Sequence, residues 1–357
     1  MAYKKRCIIL VTFSIGFLYS ITFHAFFIPS FKVINLFRRF QFHQFASLKG
    51  RSGVLILSYG RSGSSFLGQL FNLHPDVFYI FEPLKMIQSL GSSTRYQDTA
   101  VRMIHDLLNC NLDGHEEFLD FVTNTHHHRF SSRALTRPFC FKNTTGTKPK
   151  FFCRPLNVPE TKHICSNRVH RVVKVLTSRL PKLDVSLIEG FSQEGEEVKV
   201  LHLVRDPRAV VASLQKVRWL EAPGTAGASF SSRVQTFCEA MLETLDFILK
   251  AEASLYGKYK LLRYEDLVAD VYKTSKELFH FVGIARGTES INRWIRMSIN
   301  AKTDVTSETY EYQTTRANMT SLIHAWKSRL SEKQIRTVEW YCKPMMVAHG
   351  YTPMFVQ

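Results

Sequence analysis

VLILSYGRSGSSFLGQLF, residues 54–71, changes hydrophobic character twice within eighteen positions. Val54 to Ser58 (VLILS) reads as a strand buried on both faces, Gly60 and Gly63 interrupt it, and Phe66, Leu67, Leu70 and Phe71 then recur at helical spacing. The predicted unit is therefore strand, phosphate-sized loop, helix. At such a junction the first backbone N–H groups of the helix and the positive end of its dipole converge on one spot, which suits an anion. Small residues at Ser62, Gly63, Ser64 and Ser65 keep the backbone open, and Arg61 adds a cationic fork. No lysine closes the loop in the G-x-x-x-x-G-K-[ST] manner, so nucleoside triphosphate chemistry of the kinase type, which would need ATP and magnesium, is poorly supported.

The same grammar returns downstream. Val198 to Val204 (VKVLHLV) reads as a second buried strand, and Asp206-Pro207 as a helix cap followed by proline at the first helical position. Arg205 then stands at a strand's end and Ser213 about two turns into the next helix, both within reach of one phosphate. Further expected elements are strands at Val77–Phe81 and Tyr259–Arg263 and helices around Val234–Leu255, Lys273–Val282 and Glu332–His349. Strands alternating with helices predict an α/β fold with a parallel sheet flanked by helices. Residues 90–170, with weak periodicity and four cysteines, are expected to be irregular, cross-linked and acceptor-facing. Phe237, Phe247 and Trp340 are expected in the core.

Outward from these units, the chain has 357 residues, is 45% hydrophobic and carries a formal charge of +17, which excludes a disordered chain and favours anionic ligands. Cys7 to Ile28 contains no Asp, Glu, Lys or Arg over 22 residues, enough at about 1.5 Å per residue to span a bilayer. Lys4, Lys5 and Arg6 precede it, favouring a cytoplasmic N-terminus. The expected organisation is a stub at 1–6, a transmembrane signal-anchor at 7–28, a stem at 29–50 and a luminal catalytic domain at 51–357. Six cysteines beyond the span permit three disulfides, with pairing open. Asn143 and Asn318 head N-x-[ST] sequons, as glycosylated luminal proteins carry.

Four ordered blocks carry a resemblance: Arg61 to Leu84 (RSGSSFLGQLFNLHPDVFYIFEPL), Leu203 to Ser213 (LVRDPRAVVAS), Lys258 to Asp270 (KYKLLRYEDLVAD) and His324 to Tyr351. Together they resemble the Golgi carbohydrate sulfotransferases, in particular the galactose, N-acetylglucosamine and N-acetylgalactosamine 6-O-sulfotransferases. The resemblance implies a P-loop-like sulfotransferase fold, a Golgi type II membrane location and 3′-phosphoadenosine-5′-phosphosulfate (PAPS) as donor. Arg61, Ser62, Gly63, Ser64, Ser65 and Phe66 then match the 5′-phosphosulfate motif, and Arg205 and Ser213 the 3′-phosphate motif. A nucleotide with anions at both ends of its ribose needs two such separated sites. Arg61 would also meet charge developing on the leaving phosphate.

Glu82, in the family's Glu-Pro motif, is the expected base for the acceptor hydroxyl; His74 is its rival. The chain departs from the family pattern at Leu214, where arginine is usual, and at Lys327, where Trp-Arg becomes Trp326-Lys327 and the bidentate fork is lost. Arg316 is a further candidate near the donor. His126-His127-His128 is read as a solvated loop rather than a metal site, and no metal is expected. The implied acceptor is a glycan or glycosaminoglycan chain, with the sugar left open among Gal, GlcNAc and GalNAc. Nucleic acid is not an expected partner; a homodimer is compatible with the sequence. A glycan-binding protein of this fold without turnover is the alternative to an enzyme.

Overall fold

Ser52–Ser58 is buried at every position and forms the central strand β1. The computed structural model describes residues 52–90, 94–143, 150–180, 197–218, 220, 227–251, 253–285, 287–299 and 320–355. After β1 come helix α1 (Ser64–Asn72) and strand β2 (Val77–Phe81), followed by helices α2 (Thr94–Leu108), α3 (Glu116–Asn124) and α4 (His126–Phe130). A hairpin of β3 (Cys140–Asn143) and β4 (Lys150–Cys153) leads to α5 (Val158–Ser166), β5 (His170–Leu176), β6 (Glu197–Val204) and α6 (Pro207–Lys216). The remainder includes α7 (Phe230–Lys250), β7 (Tyr259–Arg263), α8 (Tyr264–Ala269), α9 (Val271–Val282), α10 (Glu289–Ile299) and α11 (Glu332–Ala348), the last preceded by the short helical turns Ser321–His324 and Trp326–Arg329.

Five strands form one parallel sheet in the order β2-β5-β1-β6-β7. Because side chains alternate along a strand, Val54 and Ile56 pack with Phe66, Leu67, Leu70 and Phe71 of α1, while Leu55 and Leu57 join a second cluster with Leu107 of α2 and Phe118 of α3. The expected α/β architecture is present, with helices covering the sheet. Among the described residues no helix is long and apolar enough to cross a membrane; the predicted span at 7–28 and the stem lie outside the described residues, as do Asn318 and Arg316. Asn143 is the last residue of β3.

Three expectations need correction. The described residues between 90 and 170 are largely helical rather than irregular: α2 buries Ala100, Met103, Ile104, Leu107 and Leu108, a clean i, i+3, i+4, i+7, i+8 stripe hidden in the sequence by the polar residues of its other face. The histidine run is not a solvated loop. It forms α4, and His128 is buried edge-on against Phe81 and Phe121 at 5.5 and 4.9 Å between ring centroids. Burial pushes the His128 imidazole down to about 4, so it is neutral at physiological pH. Trp340 is 69% exposed, because α11 turns Ile335, Val338, Cys342, Met345 and Met346 inward and position 340 falls on the opposite face; Phe247 is buried, as expected, and Phe237 packs partly buried against Val338, Cys342 and their neighbours.

The six cysteines form three disulfides: Cys110–Cys165, Cys140–Cys153 and Cys238–Cys342. The last ties α7 to α11 across 104 residues of sequence. Replacing both Cys238 and Cys342 by serine is expected to lower stability by about 2–4 kcal/mol, mainly by freeing the unfolded chain. The check is a denaturant titration at fixed pH, and an unchanged midpoint would contradict it.

Candidate functional site

All five parallel strands end on the same edge of the sheet, and the sequence-predicted residues gather there: Tyr59 to Ser65 after β1, Glu82 after β2, Arg205 to Ser213 after β6. This is the edge where open α/β sheets bind ligands. Two residues of the first loop adopt left-handed backbone, Arg61 at φ 69° and Gly63 at φ 91°. The turn closes through Ser62 N–H to Tyr59 O at 3.3 Å, and the Gly63 carbonyl accepts from Phe66 and Leu67 N–H at 3.0 and 3.2 Å. Gly63 caps α1 without any side-chain hydrogen bond, so the N–H groups of Ser64 and Ser65, which have no acceptor inside a helix, remain for a ligand. Ser62 and Ser64 are buried at the base of the loop. Phe66 contributes differently: its ring is buried against Trp294 at 4.9 Å, so it anchors the loop helix in the core.

The two predicted anion loops touch. Arg61 Nε donates to Ser213 Oγ at 3.0 Å, and Arg205 donates from Nη1 to Arg61 O and from Nη2 to Leu322 O, both at 3.1 Å. The Arg205 guanidinium lies 4.4 Å from the ring centroid of Tyr264, and that same ring stands so close to Gly63 that a Cβ there would meet it at 2.4 Å. Arg205 Nε and the Ser58 hydroxyl are buried with no partner among the described residues. A Cβ-free cradle, open helix N–H groups, two arginines and two unsatisfied polar groups suit a ligand bearing more than one anionic group. Ser213→Ala removes the acceptor that aims Arg61 and is expected to weaken binding of the expected nucleotide donor about three- to tenfold, the worth of one modest hydrogen bond. Calorimetric titration checks this, and a loss beyond a hundredfold would give Ser213 a larger part.

Behind the second loop lies a buried charge network. Asp206 caps α6 by accepting from Arg208 N–H at 2.9 Å and pairs with the Arg208 guanidinium at 2.7 Å, which also reaches Glu339 of α11 at 2.7 Å. Glu339 takes the backbone N–H groups of Met354 and Phe355, both at 2.8 Å, and Arg208 lies 4.1 Å over the Trp326 ring. The C-terminal segment is thereby locked to the loop carrying Arg205. Leu214 is buried with Val210 and Val211, a place where arginine would have to be desolvated. Lys327 lies 5.8 Å from the Trp326 ring.

Glu82 stands at the end of β2, two strand spacings or roughly 10 Å from β1. Its backbone is left-handed at φ 44°, and its side chain is mostly buried. Lys174 Nζ holds one carboxylate oxygen and Arg179 Nη1 the other. Burial raises the carboxyl, but these two cations outweigh it and hold Glu82 below the usual carboxylate range. Burial also lowers Lys174 against the opposing field of Glu82. Lys174, Arg179 and Tyr264 were not singled out by sequence; the apolar pairs Val172-Val173 and Val175-Leu176 flanking Lys174 are the signal that marks β5 and, just beyond it, Arg179, whereas Tyr264 follows β7. His74 lies before β2, at the opposite edge of the sheet, with Nδ1 accepting the Asp76 N–H at 3.2 Å.

A family model described as "Sulfotransferase domain" matches residues 51–350. Carbohydrate sulfotransferase 1 of Mus musculus is 30% identical over 340 residues, covering 85% of this chain and 80% of its own. Carbohydrate sulfotransferase 3 of Homo sapiens is 28% identical over 335 residues, covering 84% of this chain and 67% of its own. Among solved structures, the sulfotransferase domain from the curacin biosynthetic pathway covers 87% of this chain and 100% of its own at 16% identity and a TM-score of 0.46. A mouse sulfotransferase complexed with PAP covers 83% and 84% at 10% identity and a TM-score of 0.40.

Proposed function

Because the chain belongs to the sulfotransferase domain family and, within it, to the carbohydrate sulfotransferases, we propose that it transfers a sulfuryl group from PAPS to a sugar hydroxyl, the 6-position of Gal, GlcNAc or GalNAc. The acceptor is a glycoprotein glycan or a glycosaminoglycan chain. The observation that carries this reading is the joined pair of anion loops, in which Arg61 bonds to Ser213 while Arg205 bonds to the Arg61 carbonyl. Ser62, Gly63, Ser64 and Ser65 would hold the 5′-phosphosulfate through the open N-terminus of α1, with Phe66 fixing that helix; Arg205 and Ser213 would hold the 3′-phosphate. Once bound, the donor supplies the sulfuryl group and a phosphate leaving group. Arg61 stabilises charge growing on that phosphate, and Glu82 takes the acceptor proton.

The expected setting is the Golgi lumen, with residues 7–28 as a type II anchor, 29–50 as a stem and 51–357 as the catalytic domain. Full-length protein with its disulfides intact is incubated with radiolabelled PAPS and a panel of defined desulfated glycans, with and without EDTA. Transfer that persists in EDTA, with mass spectrometry placing sulfate on one hydroxyl of one sugar, is the expected result. Tight nucleotide binding without transfer to any glycan would leave a binding protein in its place.

A further inference from the structure

At the opposite edge of the sheet, where β2 begins, Asn72, His74, Val77, Arg133, Arg137 and Arg168 line a cavity of about 160 Å³. It is far from the donor loops: the five residues of β2 alone span roughly 17 Å. The three arginines come from the short helix Arg133–Thr136, the residue after it and the turn before β5. Each guanidinium carries five N–H donors. Among the described residues, only Arg133 Nη1, on Leu73 O at 3.3 Å, and Arg168 Nη1, on Pro75 O, are engaged by hydrogen bonds. Arg168 Nε is buried with no partner among the described residues, and the Arg137 side chain makes no hydrogen bond or ion pair there.

No carboxylate pairs with any of the three among the described residues. The C-terminal end of α1 points at the cavity and offsets about half a charge, which leaves most of the positive charge uncompensated. Burial first, and then the like charges of Arg137 and Arg168, hold Arg133 below the ordinary guanidinium value. Arg133 and Arg168 are half-buried beside the exposed Arg137, and guanidinium forks match a tetrahedral oxyanion. At about 30 Å³ per water the cavity has room for one small group, not an extended surface.

We propose that this cavity is a second oxyanion site that holds a sulfate ester already present on the glycan chain, remote from the place of transfer. The inference rests on the glycan reading above and extends it: an acceptor long enough to span both edges is held at two points, whereas a short one meets only the transfer site. The enzyme therefore favours chains that already carry sulfate.

The test uses the full chain with its donor loops saturated by 3′-phosphoadenosine 5′-phosphate. It is titrated with a sulfated glycan oligosaccharide, the same chain chemically desulfated, inorganic sulfate, and phosphatidylserine vesicles. The sulfated chain is expected to bind at least tenfold more tightly than the desulfated one, with inorganic sulfate competing. Arg137→Gln/Arg168→Gln is expected to lose about tenfold in affinity for the sulfated chain while kcat on a short unsulfated acceptor stays unchanged. Arg137→Gln alone, at an exposed side chain without partners among the described residues, keeps the test valid should the double variant fail to fold. Equal affinities of wild type and variant for the sulfated chain overturn the proposal, and so does a loss confined to the vesicles, which would assign the cavity to a membrane surface. Failure of the wild type to sulfate any short acceptor would count against the function proposed above and leave this binding result standing on its own.

Discussion

Glu82→Gln is expected to bind the nucleotide as the wild type does and to lose about 10²–10⁴ in kcat, the usual cost of removing a positioned base. Nucleotide binding survives because Glu82 lies two strands from the loop that carries Arg61. Base function is compatible with the two cations: a carboxylate has about four lone-pair sites, and Lys174 and Arg179 occupy one on each oxygen. The acceptor hydroxyl can use another. The same pairing fixes the pH response. The folded carboxyl lies below its unfolded value, so its contribution to stability is full above the unfolded pKa of about 4.3 and is lost as pH falls through the folded one. Activity should accordingly stay level from neutral pH through the ordinary carboxylate range and drop only below it.

The amide also leaves Lys174 and Arg179 facing each other without a counter-charge, and breaking a buried pair in this way costs about 3–5 kcal/mol. A fall in activity caused by instability is separated by the double variant Glu82→Gln/Lys174→Met, which removes the orphaned ammonium. It should recover stability in a denaturant titration and recover no turnover. Recovery of both would reduce Glu82 to a structural partner of Lys174.

Legibility in the sequence tracked local pattern. β1 and β6 announce themselves because hydrophobic runs end in loops whose residues have no local use for so much open backbone, and Asp206-Pro207 starts α6 by the capping rule that the structure obeys, with Asp206 accepting from Arg208 N–H. β5 sits beside β1 in the middle of the sheet and was missed. Its seven residues include His170, Arg171 and Lys174, and each buried polar group is paired with a residue distant in sequence: His170 with Ser52 at 2.7 Å, Arg171 with the Leu108 carbonyl at 2.7 Å, Lys174 with Glu82. Hydropathy cannot anticipate partners 63 to 118 positions away. The same holds for the site. Arg61, Glu82, Arg205 and Ser213 sit in short readable motifs, whereas Arg179 and Tyr264 matter through contacts that only the sheet order creates.

Gly63→Ala carries the contrast furthest, since a single methyl group acts on both anion loops. At φ 91° an alanine is strained, and such backbone typically costs of order 1–3 kcal/mol. The added Cβ would also stand 2.4 Å from Tyr264, a ring boxed in by the Arg205 guanidinium at 4.4 Å. Relief comes either from flattening the loop, which turns the α1 N–H groups away from the proposed phosphosulfate site, or from moving Tyr264, which releases Arg205 from the proposed 3′-phosphate side. Both routes reach the donor, so nucleotide affinity is expected to fall at least 10²-fold, about 2.7 kcal/mol, with far-ultraviolet circular dichroism unchanged. Gly63→Ala/Tyr264→Ala discriminates between the routes: it restores space without restoring the left-handed backbone or the stacking surface for Arg205. Affinity should remain low in the double variant although its thermal stability recovers. If the double variant bound nucleotide as the wild type does, the ring clash alone would explain the single variant, and the shared support of the two loops by Tyr264 would have no energetic weight.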